Sequence, residues 1–409
     1  MRKKKLLLNT ISSLLQQFVV LICGFLLPRF ILKAYGSEVN GLVSSITQFL
    51  GFIALLDLGV GAVIQSAYYK PLADNDKRHI SLLYKNSKRF FGIIAAILVV
   101  YVVVLTVVFP RITHSSFDFW YSASLILIIS ISSFAQYYFA VPQVLLLNAD
   151  QRLYVQSNLQ IMSILLNTII SIILVIMGQS IHFVKLISSL IFIIRPVVLN
   201  LYVQSHYDID KNAYDPNFKI EQKWNGLAQH VATVVMNNTD VMVLSLFSTM
   251  QDVSVYSVYY LVANGLRQFV NSISNGFYSL LGNILACNEK KLLKSVFRLF
   301  EWGMHTIVVF VFSMCAMLII PFVANYTKGV NDANYIQPLF AVLITVAHGF
   351  FCIRIPYNTM VCSAGHYKQT QASALIEMSI NLVVSVLLVK NIGLVGVAIG
   401  TVCGMVYRT

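Results

Sequence analysis

The residues of this chain that could do chemistry are charged groups set in apolar surroundings. Asp57 interrupts the run from Leu50 to Leu72, an apolar stretch loosened by Gly59 and Gly61 and stopped by Pro71. Asp240, Glu377, Arg267 and Arg354 sit within other apolar runs, and Arg29 lies near the end of the first one. A charge deep in hydrocarbon costs at least about 2.5 to 3.5 kcal/mol on insertion scales, so it needs an internal partner or a water-filled cavity. Two chemistries follow. Asp57, Asp240 and Glu377 either pair with the arginines to hold a helical bundle together or exchange a coupling ion. The arginines, if they face a lumen, offer a planar guanidinium fork that suits an anion such as a phosphate better than lysine does.

Neutral polar residues extend these sites in helical register. His230, Thr233, Asn237 and Asp240 fall on one face of a helix, and Asn264, Arg267, Asn271, Asn275 and Tyr278 do the same in the next apolar run. Gln160, Ser163, Asn167 and Ser171 form a third stripe, and Ser373, Glu377, Asn381 and Ser385 a fourth. Small polar residues also serve as glue between membrane helices, and that reading competes evenly for the third and fourth stripes. The two charged stripes are expected to line a wetted lumen, with Asn264, Asn271 and Asn275 beside Arg267. Arg29 and Lys33, one turn apart, either snorkel to an interface or join that lining, and Lys185 is expected to snorkel. His230, His305 and His348 read as buried donors rather than proton carriers.

Long membrane helices must position these groups. Hydrophobic residues make up 57% of the chain, charged residues 11%, and mean hydropathy is +0.74, far from a soluble composition. The chain is expected to be an all-α integral membrane protein of about 12 transmembrane helices in two parallel six-helix repeats, two lobes around a central cavity. The windows run from Leu6–Leu32 and Leu42–Gln65 through Trp224–Phe247 and Val253–Leu285 to Thr370–Val389 and Gly393–Tyr407. The repeat shows when Pro142 is laid on Pro356, which also brings Asn167 onto Asn381 and Ser171 onto Ser385. Residues 1–205 are expected as an N-terminal lobe, 206–223 as a cytoplasmic linker and 224–409 as a C-terminal lobe. The second copy is expected to continue beyond Thr409, leaving the last span truncated.

Charge sets the orientation. Arg2 to Lys5, Lys70, Lys77, Arg78, Lys85, Lys88, Arg89, Lys290, Lys291 and their neighbours fall on one side, leaving Lys33, Arg111, Lys328 and Lys390 on the other. Retained cytoplasmic loops carry such an excess, so the N-terminus is expected inside. The net charge of +13 then reflects topology and attraction to anionic membrane lipids, not nucleic acid. The basic start and apolar run imitate an export signal, but Val20, Leu21 and Ile22 stand where a cleavage site needs small residues, so an uncleaved first helix is expected. The six cysteines show neither CxxC pairs nor metal-ligand spacing. No cofactor or metal is expected, and no GxSxG, P-loop or HExxH marks an enzyme.

The segments Leu26-Leu27-Pro28-Arg29 to Tyr35-Gly36, Asn40 to Ser44, and Leu55-Leu56-Asp57-Leu58-Gly59-Val60-Gly61 to Gln65 resemble the N-terminal signature of the bacterial polysaccharide biosynthesis flippases. These belong to the multidrug, oligosaccharidyl-lipid and polysaccharide exporter superfamily. The resemblance implies a bacterial cytoplasmic membrane and movement of undecaprenyl-pyrophosphate-linked oligosaccharide units to the outer leaflet, with Arg267 and Arg354 as candidates to meet the pyrophosphate. It further implies the lipid-linked oligosaccharide as ligand and a polysaccharide polymerase and chain-length machinery as partners. A multidrug or cation antiporter of the same superfamily is the competing reading. A membrane polymerase or ligase fits less well because its large outer loop is missing, and a major-facilitator porter lacks its loop motif after the second span.

Overall fold

A computed structural model describes residues 2–57, 60–113, 116–210, 227–287, 289–364 and 367–409. The described residues are overwhelmingly helical, as the bilayer core demands: with no water to satisfy backbone groups, a spanning segment must bond its own. In chain order the helices are α1 (Arg2–Gly51), α2 (Val60–Ala67), α3 (Tyr69–Asp74), α4 (Lys77–Ile112), α5 (Phe119–Ala135), α6 (Val141–Ala149), α7 (Leu153–Ile176) and α8 (Ile181–His206). The second half contributes α9 (Leu227–Phe247), α10 (Met250–Ala286), α11 (Lys290–Tyr326), α12 (Pro338–Ile353), α13 (Ile355–Ser363) and α14 (Tyr367–Arg408).

Among the described residues, eight helical stretches are long and apolar enough to cross a membrane. Two of them, Leu8–Leu56 and Gln369–Arg408, each cover two of the windows read from the sequence. The polar stripes of α9 and α10 keep those long helices out of the eight. The second window departs further: α1 ends at Gly51, a 3₁₀ turn follows over Phe52–Asp57, and helix resumes at Val60. Asp57 thus ends a 3₁₀ turn rather than lying inside a continuous α-helix, and residues 58–59 lie outside the described residues.

The chain forms two compact units. One comprises Met1–Tyr35, Leu50–Ile112 and Ser116–Trp224; the other comprises Gly36–Phe49, Thr113–Ser115 and Asn225–Thr409. Of the expected linker 206–223, residues 211–223 lie outside the described residues.

Glycine decides the geometry at two places in the second unit. Gly36 has φ 82° and ψ 175°, dividing α1 into two helical arms, a backbone state that costs a side-chain-bearing residue. The Asp332 carboxylate caps the second arm: Ser37 N–H donates to Oδ2 at 2.6 Å and Ser37 Oγ to Oδ1 at 2.5 Å. Asn40 Nδ2 donates to Ser254 Oγ at 2.8 Å, and Gly41 lies so close to α10 that a Cβ there would stand 1.8 Å from the Met250 carbonyl oxygen. The family-like residues Gly36, Asn40 and Gly41 therefore have direct packing roles.

Gly393 (φ 53°, ψ −128°) likewise divides α14. The arm after it packs onto the arm before it through Gly396, Gly400 and Gly404, which approach Leu388, Ser385 and the Asn381–Glu377 turn respectively. Four-residue spacing of glycines lets two backbones meet in lipid, where close van der Waals contact replaces the hydrophobic effect as the driving force. The two prolines aligned in the repeat also mark breaks. A π-helical turn over Gln136–Ala140 precedes Pro142, and an interruption at Arg354 precedes Pro356, each consistent with a ring that removes a backbone donor.

Candidate functional site

Three arginines and two acids gather in the second unit on α9, α10, the α12–α13 junction and α14. Apolar packing sets their positions. Val270, Leu281, Phe300, Met304, Val308, Phe312, Cys352 and Ile355 form a buried cluster across α10 to α13. Arg267 lies one turn before Val270, and Arg354 stands between Cys352 and Ile355.

Glu377 is almost fully enclosed, with 1% of its side chain exposed. Its two oxygens are divided between two cations: Arg354 Nη1 donates to Oε1 at 2.5 Å and Arg408 Nη1 to Oε2 at 2.6 Å. The arginine side chains are only 12% and 15% exposed. Such a cluster carries one net positive charge, and desolvation makes it intolerant of losing its single anion. Glu377 is thus ion-paired on both oxygens, to Arg354 and to Arg408.

Arg267 is held differently. Nη2 donates to Asn264 Oδ1 at 2.8 Å and Nη1 to Asn237 Oδ1 at 3.2 Å, and among the described residues it has no carboxylate partner. Neutral amides orient the guanidinium without cancelling its charge. The side chain is half-buried, while Asn237 is exposed. Phe351 links the two sites, because the guanidinium carbons of Arg267 and Arg354 lie 4.9 and 4.7 Å from its ring centroid, within cation–π range.

Asp240 forms a third centre. Tyr256 Oη donates to Oδ2 at 2.9 Å, Thr401 Oγ1 lies 2.8 Å from the same oxygen, and Asn381 Nδ2 reaches Oδ1 at 3.3 Å. Asn381 Nδ2 also reaches Thr401 Oγ1 at 3.0 Å, yet its buried Oδ1 accepts no hydrogen bond among the described residues. Among the same residues no cation pairs with Asp240, so this buried acid is stabilised by neutral donors.

The other sequence candidates separate from this group. Arg29 is exposed and belongs to the first unit. Asn271 is half-buried on α10. The side chains of Asp57 and Asn275 lie outside the described set. His305 and His348 contact the backbone oxygens of Ile353 and Ile344 at 3.0 and 2.9 Å. In the first unit, α8 runs through Pro196, and Arg195 Nη2 donates to Gln156 Oε1 at 2.9 Å.

No known family model matches the sequence, and no curated protein matches it. Solved structures do resemble the fold. An inward-facing multidrug resistance MATE family transporter of the MOP superfamily aligns with a TM-score of 0.66 at 14% identity, covering 97% of this chain and 96% of that one. The lipid II flippase MurJ in an inward closed conformation aligns at 0.64 and 14%, covering 98% and 86%. A MOP superfamily transporter from Pyrococcus furiosus, whose binding pocket is described as reversed in polarity, aligns at 0.59 and 14%, covering 99% and 93%.

The fold is that of the MOP-superfamily transporters. Of the residues clustered here, the sequence analysis names Arg267, Arg354, Asp240 and Glu377 and does not name Arg408, Thr401, Tyr256 or Phe351. In the sequence Arg408 reads as a basic residue flanking the last span. The signal that could have found it is Gly393, from which Glu377 and Arg408 lie at similar chain distances, so a hairpin there brings them side by side. Phe351 carries no such signal, because it is one of 26 phenylalanines in the chain and its neighbours in sequence, Phe350 among them, are equally apolar.

Proposed function

We propose that this chain is a transporter that flips undecaprenyl-pyrophosphate-linked oligosaccharide units across the bacterial cytoplasmic membrane, with Arg267 as the first contact for the pyrophosphate. The observation that carries this reading is a half-buried arginine, set among membrane helices, whose side-chain hydrogen bonds go to neutral amides. A second guanidinium, Arg354, shares the Phe351 ring with it, so a diphosphate reaching Arg267 would meet a surplus of positive charge. The neighbouring MurJ structure is named a lipid II flippase, which supports a lipid-linked substrate.

Physical need fits the same role. An unpaired hydroxyl in hydrocarbon costs roughly 4 kcal/mol or more, so a sugar unit with several of them requires a polar route. An inside-negative potential favours outward movement of an anionic head group by about 2.3 kcal/mol per charge per 100 mV. Asp240, a buried acid with neutral donors, is the residue we assign to ion coupling, and the unmatched Asn381 Oδ1 beside it would serve a bound cation equally well. Polysaccharide polymerase and chain-length machinery are the partners this substrate implies.

Asp240 also gives the multidrug reading its own support, since an acid without a basic partner suits a cation antiporter. Reconstitution into proteoliposomes separates the two. The flippase reading expects wild-type protein to move a lipid-linked oligosaccharide, Arg267→Ala to lose at least about tenfold of that rate at matched protein, corresponding to roughly 1.4 kcal/mol or more, and Arg267→Lys to recover little of it. Export of a cationic dye that survives Arg267→Ala, without any glycolipid movement by the wild type, overturns the flippase reading.

A further inference from the structure

In the second unit, α11 and α12 leave between them a groove of about 280 Å³ whose lining includes Val309, Ser313, Ala316, Val346, Gly349 and Ile353. Side-chain size makes it: Ser313 and Ala316 on α11 and Gly349 on α12 are small where Val309, Val346 and Ile353 around them are large. Both helices belong to stretches long and apolar enough to cross a membrane, Lys290–Tyr326 and Pro338–Ser363, and residues 309–316 are the middle of the first. A groove at that depth is filled by a hydrocarbon chain rather than by water.

Towards the start of α11 the groove ends at a polar cluster. Ile353, the last residue of α12, lines the groove, and its carbonyl oxygen lies 3.0 Å from His305 Nε2. One turn before His305, Glu301 Oε1 accepts from Tyr357 Oη, and the Tyr357 ring lies 5.9 Å from that of His305. Tyr357 and Trp302 are 44% and 67% exposed, as aromatic residues at a membrane–water boundary are. Glu301 therefore stands half-buried at headgroup depth. Tyr357 takes one of its oxygens, and among the described residues no cation lies within ion-pair distance of either. Before it on the same helix come Arg298, Lys294 and Lys290, all exposed and spaced by three and four residues, so they continue one face of α11 away from the groove.

A ligand that matches this surface puts a hydrocarbon chain in the groove, a hydrogen-bonding cation against the Glu301 carboxylate and an anion against Arg298. We propose that the groove and its mouth bind a phospholipid with a primary ammonium in a zwitterionic headgroup, phosphatidylethanolamine, with the ammonium on Glu301 and the phosphate on Arg298. Charge order selects the headgroup. A purely anionic one would be repelled by Glu301, and a choline has no N–H with which to make a charge-assisted hydrogen bond to it. The first unit supplies the contrast, a groove of about 400 Å³ between α4 and α5 whose lining, among the described residues, holds no charged side chain. Chains can settle there, but nothing at that lining distinguishes one headgroup from another. The assignment does not depend on what the protein transports.

Purified full-length protein in neutral detergent, incubated with phospholipids that carry a diazirine in one acyl chain, tests this by photolabelling and peptide mapping. Phosphatidylethanolamine should label residues 309–316 and 346–353, and phosphatidylcholine or phosphatidylglycerol at the same concentration should label them about tenfold less, the worth of one charge-assisted hydrogen bond. Glu301→Gln keeps an acceptor for Tyr357 and removes the charge, so it should bring phosphatidylethanolamine down to the level of phosphatidylcholine. Ala316→Phe fills the groove and should reduce labelling by all three lipids, whereas Val103→Phe, in the α4–α5 groove, should leave it unchanged. Equal labelling by the three lipids in the wild type overturns the proposal, as does a phosphatidylethanolamine preference that survives Glu301→Gln. Labelling unmoved by Ala316→Phe overturns the groove as the seat of the chain. Should Glu301→Gln fail to fold, the wild type decides alone with headgroups methylated stepwise from ethanolamine to choline: labelling should drop when the last N–H is replaced, and a flat series overturns the proposal.

Discussion

At the scale of single residues, charges with the same sequence signature in the second unit are accommodated in different ways. Glu377 is shared by Arg354 and Arg408, Arg267 is oriented by amides, and Asp240 by hydroxyls and an amide. This difference predicts an order of stabilities. Glu377→Ala leaves two buried guanidinium groups without their anion and should cost roughly 3 to 5 kcal/mol. Arg408→Ala leaves the Arg354–Glu377 pair balanced and should cost distinctly less. Thermal midpoints in detergent at fixed protein and lipid decide it, and equal losses for the two variants would contradict the shared-carboxylate geometry. Sequence spacing made the acids and arginines visible as expensive groups. It could not assign partners, because pairing depends on which backbones approach, and a helical stripe is silent about what faces it.

At the scale of elements, the hairpin in α14 rests on close backbone approach. A Cβ at Gly400 would lie 2.2 Å from Ser385 Oγ and 2.8 Å from the Ser385 nitrogen, whereas one at Gly276 would meet nothing within 4 Å. Gly400→Leu should therefore force the two arms apart and cost about 1 to 3 kcal/mol through overpacking, separating Glu377 from Arg408 and Asp240 from Thr401. Gly276→Ala, in the middle of α10, should be neutral or slightly stabilising, since alanine is the better helix former. Comparing their midpoints, and the protease sensitivity of the α14 arms, checks the point. Long helices were legible because apolar runs of sufficient length have few alternatives in a bilayer. The turns at Gly36 and Gly393 fall at the boundaries between expected windows, whereas the 3₁₀ turn over Phe52–Asp57 was not placed, because a hydropathy window does not register a change of helix type within an apolar run.

For the whole molecule, the asymmetric Lys and Arg distribution remains the source of an orientation. A cytoplasmic N-terminus predicts that a cysteine introduced at Asn75 is shielded in intact cells and one at Asn331 is reached by an impermeant thiol reagent, both in a background lacking the six native cysteines. Asn75 caps the C-terminal end of α3 in a left-handed conformation, and Asn331 lies in the turn region before α12, so neither substitution enters a helix interior. Labelling at Asn75 with protection at Asn331 would invert the topology. The all-helical membrane fold was readable at this scale from composition and the apolar windows, and solved MOP-superfamily transporters share that fold at 14% identity. The substrate was not, because one fold serves different cargoes and specificity resides in a few side chains.

The fold-back of α14 at Gly393 has a consequence for biosynthesis. The ribosome makes Glu377 well before Arg408, so the nascent chain commits an acid to the membrane while one of its two neutralising partners is still unmade. Insertion of the arm after Gly393 then supplies the second donor to that carboxylate. Release of a nascent chain before Arg408 should leave Glu377 balanced in charge by Arg354 but with its Oε2 short of a donor and the two arms of α14 untied, a loosened product that proteolysis of the α14 arms would detect.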